Sequence, residues 1–425
     1  MTAPLVTLLV AFLAIGIPVA VAVGLAGIVT IHFFSSLPPV LIGQQFYVAI
    51  DKFALAAIPF FILAGNIMEA GGISQRLIDF AKALVGEIRG SLALTCIVAC
   101  MIFAAVSGSG TATTFAIGAI MVPALQKHGY PTPWAASLQA TSAELGVIIP
   151  PSIPLILYGV AADVSIGELF IASVIPGLVV AAALMAYVLL WTRNTKAKIV
   201  EGADKQSVAT ALRRAAFALM MPVIILGGIY GGVFTPTEAS VVAVFYALLI
   251  SLFVYREMSF RDIVPILNKS VVSSTIIMFI IAAAGLFSFL INRSGAPAHV
   301  TSWLISILDG QLPFLVGVNI FLLIVGMFIE GAAAIIVLAP ILAPVAVAFG
   351  VDPVHFGVIM VINLALGFVT PPFGVNLFAV CTVAKIPVDR LFLPVLPFIA
   401  TVLVALLVVT FMPELTLTMR DLVYR

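Results

Sequence analysis

Long apolar runs separated by brief polar interruptions fill the chain. No Asp, Glu, Lys or Arg precedes Asp51, and none falls between Arg89 and Lys127, between Lys269 and Arg293, or between Asp352 and Lys385. A helix crosses a hydrocarbon core in about 20 apolar residues, so each gap has room for at least one crossing. The pattern predicts five crossings in each half: 3–15, 17–34, 48–71, 132–163 and 168–192, then 215–232, 236–255, 270–291, 353–384 and 390–412. One long helix through Gly16 and Pro18 is the alternative for residues 1–33. A turn there is preferred, because Thr235 and Pro236 interrupt the second half at the equivalent place.

Composition agrees with the pattern. Of 425 residues 63% are hydrophobic and 9% charged, and the mean hydropathy of +1.28 leaves too little polar surface for a water-soluble globule of this size. The chain is read as an all-α polytopic membrane protein of the lipid bilayer. A net charge of +1 gives no reason to expect nucleic acid. Cys96, Cys100 and Cys381 are too few for a disulfide framework or metal cluster, and Cys96 and Cys100 share a helix face as small packing residues. The histidines form no His-Glu-x-x-His pair, and no cofactor is expected. The N-terminus lacks a basic region and a cleavage site, so residues 1–33 are expected to be retained membrane helix rather than signal peptide.

The main break in hydrophobicity is 193–214, where Arg193, Lys196, Lys198, Lys205, Arg213 and Arg214 face only Glu201 and Asp204; a short loop with that excess belongs on the cytoplasmic side. It divides the chain into 1–192 and 215–425. Sliding the second half over the first by 221 residues superposes Gly110 on Gly331, Pro123 on Pro344, Gly129 on Gly350, Gly146 on Gly367, Pro150 and Pro151 on Pro371 and Pro372, and Pro176 on Pro397. Backbone geometry dictates where Gly and Pro stand, so the shared register implies a shared backbone path.

The copies face opposite ways. Arg76, Lys82 and Arg89 precede the interrupted segment 90–126 and Lys127 follows it, so it starts and ends on the cytoplasmic side. It is expected to form a re-entrant hairpin (about 90–127) whose arms, 90–106 and 111–126, are each roughly 25 Å long, just short of a crossing. Its counterpart, about 313–348, is flanked by Asp309 and Asp352 with no Lys or Arg nearby, as an outer position requires. Two inverted repeats follow, each with a re-entrant helical hairpin and a discontinuous helix, 132–163 and 353–384.

Gly and Pro at the middle of a membrane segment free backbone groups that lipid cannot satisfy. The breaks are Ser107 to Thr111 and Gly146 to Ser152 in the first half, Glu330 with Gly331 and Gly367 to Gly374 in the second. Close packing at glycines and simple kinks at prolines are the plain alternative for any one of them. Four breaks paired across inverted repeats instead match secondary transporters, where unwound carbonyls hold a cation and half-helix N-termini face an anionic substrate.

Ser107 to Ser109 with Ala112 and Thr113, the run Ile148, Ile149, Pro150, Pro151, Ser152, Ile153, Pro154, and Thr370, Pro371, Pro372, Phe373, Gly374 resemble the large membrane subunit of tripartite ATP-independent periplasmic (TRAP) transporters, over essentially the whole chain. The resemblance implies a sodium-driven elevator in a bacterial inner membrane, an elevator-type ion-transporter fold in which hairpins and broken helices slide against a scaffold. It also implies a small four-helix membrane partner and a periplasmic binding protein that delivers an organic acid, often a carboxylate. The chain opens on what resembles the large subunit's first helix, so the small partner is expected as a separate chain. Glu144 departs from the resemblance, since similar sequences tend to carry a small residue there.

A first sodium site is expected at Ser107 and Ser109 with carbonyls near Gly146, Ile149 and Ser152; symmetry gives a second at Gly331, Gly367, Thr370 and Phe373. For Ser107, Ser109 and Thr370 the alternative is back-bonding to a helix carbonyl. Substrate contacts are expected from Thr111, Thr113, Asn363 and Asn376, with Thr114 and Thr382 also close to the breaks; an interhelical hydrogen bond is the alternative for each. Glu144 and Glu330 are the acids placed inside the membrane or at a tip, as cation ligands, proton carriers or hairpin locks, unless Glu330 simply reaches outer water. Arg293 beside Asn292 reads as a snorkelling anchor in preference to a carboxylate contact.

Residues 72–89 read as an amphipathic helix at the inner interface, either an arm between scaffold and moving domain or a plain surface helix. The function expected is a sodium-coupled importer subunit for an organic acid such as a C4-dicarboxylate or sugar acid; a stand-alone sodium/dicarboxylate symporter is the alternative. An enzyme is not expected, because no nucleophile or metal set accompanies Glu144 and Glu330.

Overall fold

A computed structural model describes residues 1–86, 88–195 and 207–424 of the chain. The described residues are helical, with no strand among them. In order the helices are α1 (Thr2–Ala14), α2 (Val19–Phe34), α3 (Val40–Ile50), α4 (Ala57–Ala70), α5 (Ile73–Val85), α6 (Ser91–Ser107), α7 (Gly110–Lys127), α8 (Thr132–Ala143), α9 (Leu145–Ile148), α10 (Ile153–Ala162) and α11 (Ile166–Asn194). They continue as α12 (Val208–Tyr230), α13 (Pro236–Leu249), α14 (Ile263–Arg293), α15 (Ala296–Ile307), α16 (Gln311–Phe328), α17 (Gly331–Ala348), α18 (Pro353–Gly367), α19 (Val375–Ala384), α20 (Phe392–Phe411) and α21 (Glu414–Tyr424).

Among the described residues eight helices or helix runs are long and apolar enough to cross a membrane, and α8 to α10, bent by 43°, make up to nine. This is a multi-pass membrane protein. Six of those spans lie on predicted crossings, namely 48–71, 168–192, 215–232, 236–255, 270–291 and 390–412. The other two are α16 and α17, expected to be hairpin arms, each 18 residues long. Helices α1, α2, α6, α18 and α19 are shorter. Residues 1–33 form two helices, turning at Gly16.

The crossing expected at 48–71 needs correction. It is divided at Asp51 and Lys52, with α3 before them and a 3-10 turn, Phe53–Ala56, leading into α4. Pro59 sits in the first turn of α4, where its missing N–H costs nothing; a helix continued from α3 would clash with the proline ring one turn earlier. Two helices have no counterpart in the sequence reading, α15 and α21. The expected amphipathic helix is α5, with Ile73, Leu77, Ile78 and Ala81 buried; Glu87, near the end of that expected stretch, lies outside the described residues. Of the basic linker 193–214, residues 196–206 lie outside the described residues.

The helices sort into two packed groups. In the first, α14 lies against α2, α3 and α4, and α13 against α4 and α12. In the second, α8 packs on α6, α7, α19 and α20, while α18 packs on α16, α17, α11 and α20. The groups meet directly where α14 lies on α17 and α4 on α6; helix α5 also touches α12 of the first group and α6 of the second, and α15 touches α14 and α17. Helix ends recur 221 positions apart: α7 and α17 begin at Gly110 and Gly331 and end at Lys127 and Ala348, and α8 and α18 begin at Thr132 and Pro353.

Candidate functional site

The tip between α6 and α7 is two residues long. Gly108 takes the left-handed conformation, φ +63°, which favours glycine, and a Cβ there would lie 2.7 Å from the Pro151 carbonyl oxygen. The Ile153 N–H donates to the Gly108 carbonyl at 3.3 Å, so the tip is joined through main-chain atoms to the Pro150–Pro151 break. Ser109 caps α7, its hydroxyl accepting from the Ala112 N–H at 3.4 Å, and Ser152 caps α10, accepting from the Leu155 N–H at 3.3 Å.

Oxygen atoms converge at this contact. Ser107, buried, has its hydroxyl 3.1 Å from that of Thr113, and the Thr113 hydroxyl donates to the Ser109 carbonyl at 2.8 Å. A Cβ on Gly146 would meet Thr113 Oγ1 at 2.6 Å and the Ser109 oxygen at 2.8 Å, so only glycine admits this approach. Ser107, Ser109, Gly146 and Ser152 are thus brought to one place. The Ile149 side chain turns away to pack on Gly177 of α11, leaving its main chain at the break. Thr111 is half-buried, with its hydroxyl 3.2 Å from that of Ser109.

The second half repeats the layout with different filling. Gly331 opens α17 directly against the Phe368 ring. Glu330 is exposed at the tip and caps α17, accepting from the Ala333 N–H at 3.2 Å. Thr370 back-bonds, its hydroxyl donating to the Leu366 carbonyl at 2.7 Å. Gly367 faces α16 at Gly326 rather than the tip. The Phe373 side chain is 57% exposed and rests 5.7 Å from Phe328, so only its main chain belongs to the break.

Asn363, fully buried, donates to the Asn319 carbonyl and side-chain oxygen at 3.0 and 2.7 Å, tying α18 to α16. Asn376 donates to Glu144, joining α19 to the α8–α9 junction. Thr114 and Thr382 back-bond to Gly110 and Phe378. Arg293 is exposed at the end of α14.

Buried amides were missed by the sequence reading. Gln139 of α8, fully buried, accepts from the Cys96 thiol at 3.0 Å and donates to the Thr113 carbonyl at 3.4 Å, so the two cysteines serve a polar contact as well as packing. Asn319 lies in the apolar run of α16. Asn319 interrupts the apolar run from Leu312 to Phe328, which is the available signal; Gln139 stands among Ser137, Thr141 and Ser142, where an amide gives none. Also missed was a cavity of about 290 Å³ where α3 and α14 face α10 and α17, lined by Gln45, Lys52, Ser288 and Asn292 among apolar residues.

On the face carrying α21, Arg420 pairs with Asp352 at 2.7 Å. Burial works to raise the Asp352 carboxyl, but the Arg420 guanidinium and the Val354 and His355 amides outweigh it and hold it below the usual carboxylate range.

Broken helices meeting two-residue tips inside a polytopic helical protein define a membrane transporter rather than a catalyst. Residues 6–415 match the family described as "Tripartite ATP-independent periplasmic transporter, DctM component". The chain belongs to that family. It is 42% identical over 405 residues to the isethionate TRAP transporter permease protein DctMQ of Oleidesulfovibrio alaskensis, covering 95% of this chain but 64% of that protein. It is 39% identical over 431 residues to the C4-dicarboxylate TRAP transporter large permease protein DctM of Rhodobacter capsulatus, covering 98% of each. These relatives are permease subunits, not enzymes. In fold it is similar to the YdaH transporter of Alcanivorax borkumensis, with a TM-score of 0.65 at 13% identity, covering 88% of this chain and 87% of that one.

Proposed function

We propose that the chain is the translocating subunit of a sodium-coupled importer in a bacterial inner membrane. It takes a small organic acid from a periplasmic binding protein and works beside a small four-helix membrane subunit. The observation that carries this reading is the main-chain contact of the first tip with the first break, from Ile153 N–H to the Gly108 oxygen, amid the hydroxyls of Ser107, Ser109 and Thr113. Neutral oxygens suit sodium and leave its charge to attract an anion. Isethionate and C4-dicarboxylate, named for the relatives, are both small organic anions. Their naming as TRAP permeases favours this reading over a stand-alone symporter.

The halves are proposed to be inverted repeats, with 90–127 and 313–348 as re-entrant hairpins. Recurrence of helix ends at 221 positions supports the repeat. An elevator motion is supported by the sorting of the helices into two packed groups, which meet directly where α14 lies on α17 and α4 on α6 and are also joined by α5 and α15. Uptake of labelled organic acids by proteoliposomes holding all three components should require an inward sodium gradient. Uptake indifferent to sodium would refute the coupling, and thiols engineered at both tips and labelled from one face would refute the inversion.

A further inference from the structure

The cavity of about 290 Å³ lies on the boundary between the two packed groups. Leu157 of α10 and Ile336 of α17 line one side, Ala49 of α3 and Ile281 of α14 the other. Helices α3 and α14 belong to the first group, whereas α10 packs on α17 of the second. Val48 lines the cavity and is 55% exposed, and the neighbouring Tyr47 and Phe53 are exposed as well, so the cavity opens on an apolar surface. In a multi-pass membrane protein such a surface faces hydrocarbon. No residue of the lining belongs to the tips or the breaks.

Lys52 is the sole charged residue on the lining. It stands at the division between α3 and α4 in extended backbone, φ −125°, and its ammonium donates to the Val160 carbonyl at 3.2 Å. That carbonyl lies in the last turn of α10, where the helix itself offers no partner and a cation is favoured. An ammonium carries three donors, so two remain. Among the described residues no Asp or Glu pairs with it. Gln45, Ser288 and Asn292 add neutral polar groups to the same lining.

One cation among apolar walls is selective. A carboxylate pairs with the ammonium, and a hydrocarbon tail is buried by the walls. A dicarboxylate would leave its second charge unpaired against apolar side chains, and a neutral alcohol would leave the ammonium without a counter-charge. The volume falls at the lower end of small-molecule pockets, which run from roughly 300 to 1,000 Å³, so one chain of medium length fits better than a two-chain lipid. We infer that this cavity binds a single-chain carboxylate drawn from the bilayer, its head on Lys52 and its tail between the two helix groups.

Photolabelling tests the site on the full chain reconstituted in neutral phosphatidylcholine vesicles, with decanoic acid carrying a diazirine in its chain as the probe. No transport is measured, so the sodium-coupled reading can fail while this site stands. Adducts mapped by mass spectrometry should concentrate on residues 45–55 and 281–292, in excess over the lipid-facing residues of α12. Lys52→Gln should cut them roughly tenfold, as loss of one charge-assisted contact predicts, and leave labelling of α12 unchanged. Ser288→Phe, which fills the cavity and keeps Lys52, should do the same and covers the case of a poorly folding Lys52→Gln. Unlabelled decanoate should compete, and decanol and succinate should not. Adducts spread evenly over α12 and the cavity helices, adducts undiminished by both variants, or competition by decanol or succinate equal to that of decanoate would overturn the inference.

Discussion

Gly367 and Gly326 meet main chain to main chain. A Cβ on Gly367 would lie 2.5 Å from the Cα and carbonyl carbon of Gly326, a distance that backbone cannot yield. Helix α18 is thereby held against α16 at the closest approach two helices make. Gly367→Ala should cost about 1–3 kcal/mol by overpacking. Gly227→Ala, where nothing lies within 4 Å of the added atom, should be neutral or slightly stabilising. Thermal unfolding in detergent compares them, and equal midpoints would show that the contact carries no constraint.

Ser107→Ala removes a hydroxyl that faces Thr113 and the Ser109 carbonyl, while Thr370→Ala removes one already donated to Leu366. Both should raise the sodium concentration for half-maximal uptake, Ser107→Ala by roughly tenfold, the equivalent of about 1.4 kcal/mol, and Thr370→Ala by less. Unchanged sodium dependence in both removes these residues from the cation sites.

The pair Asn363 and Asn319 should behave as structure. A double-mutant cycle with leucine at each position should give a coupling of about 0.6–1.7 kcal/mol in unfolding. A changed substrate preference with no coupling would instead place Asn363 in the substrate path.

Arg420→Met should loosen α21 by about 1–3 kcal/mol, read as faster hydrogen exchange of the amides in 414–424. The folded Asp352 carboxyl lies below its unfolded value, so its stabilisation is complete above the ordinary carboxylate range and disappears as pH falls through the lowered value. Wild-type protection of α21 should fall on acidification, and the variant should show no such step.

Gly and Pro made the architecture legible. Their positions are dictated by main-chain geometry, so the two breaks, both tips and the 221-residue register could be read directly from the residues, and Thr2–Ala14 and Val19–Phe34 separate where Gly16 and Pro18 stand. The division at Asp51 and Lys52 escaped notice because its cause, Pro59, lies seven residues downstream within an apolar run. Helices α15 and α21 escaped because the crossing pattern rests on length and hydrophobicity, which short helices lack. Side-chain pairings such as Asn363 with Asn319 depend on which faces of distant helices meet. Composition carries no record of that.

The join between tip and break at Gly108 and Ile153 is made by main-chain atoms, a carbonyl and an N–H that every residue but proline supplies. Substitution of the neighbouring side chains therefore leaves the donor and the acceptor of this seam in place.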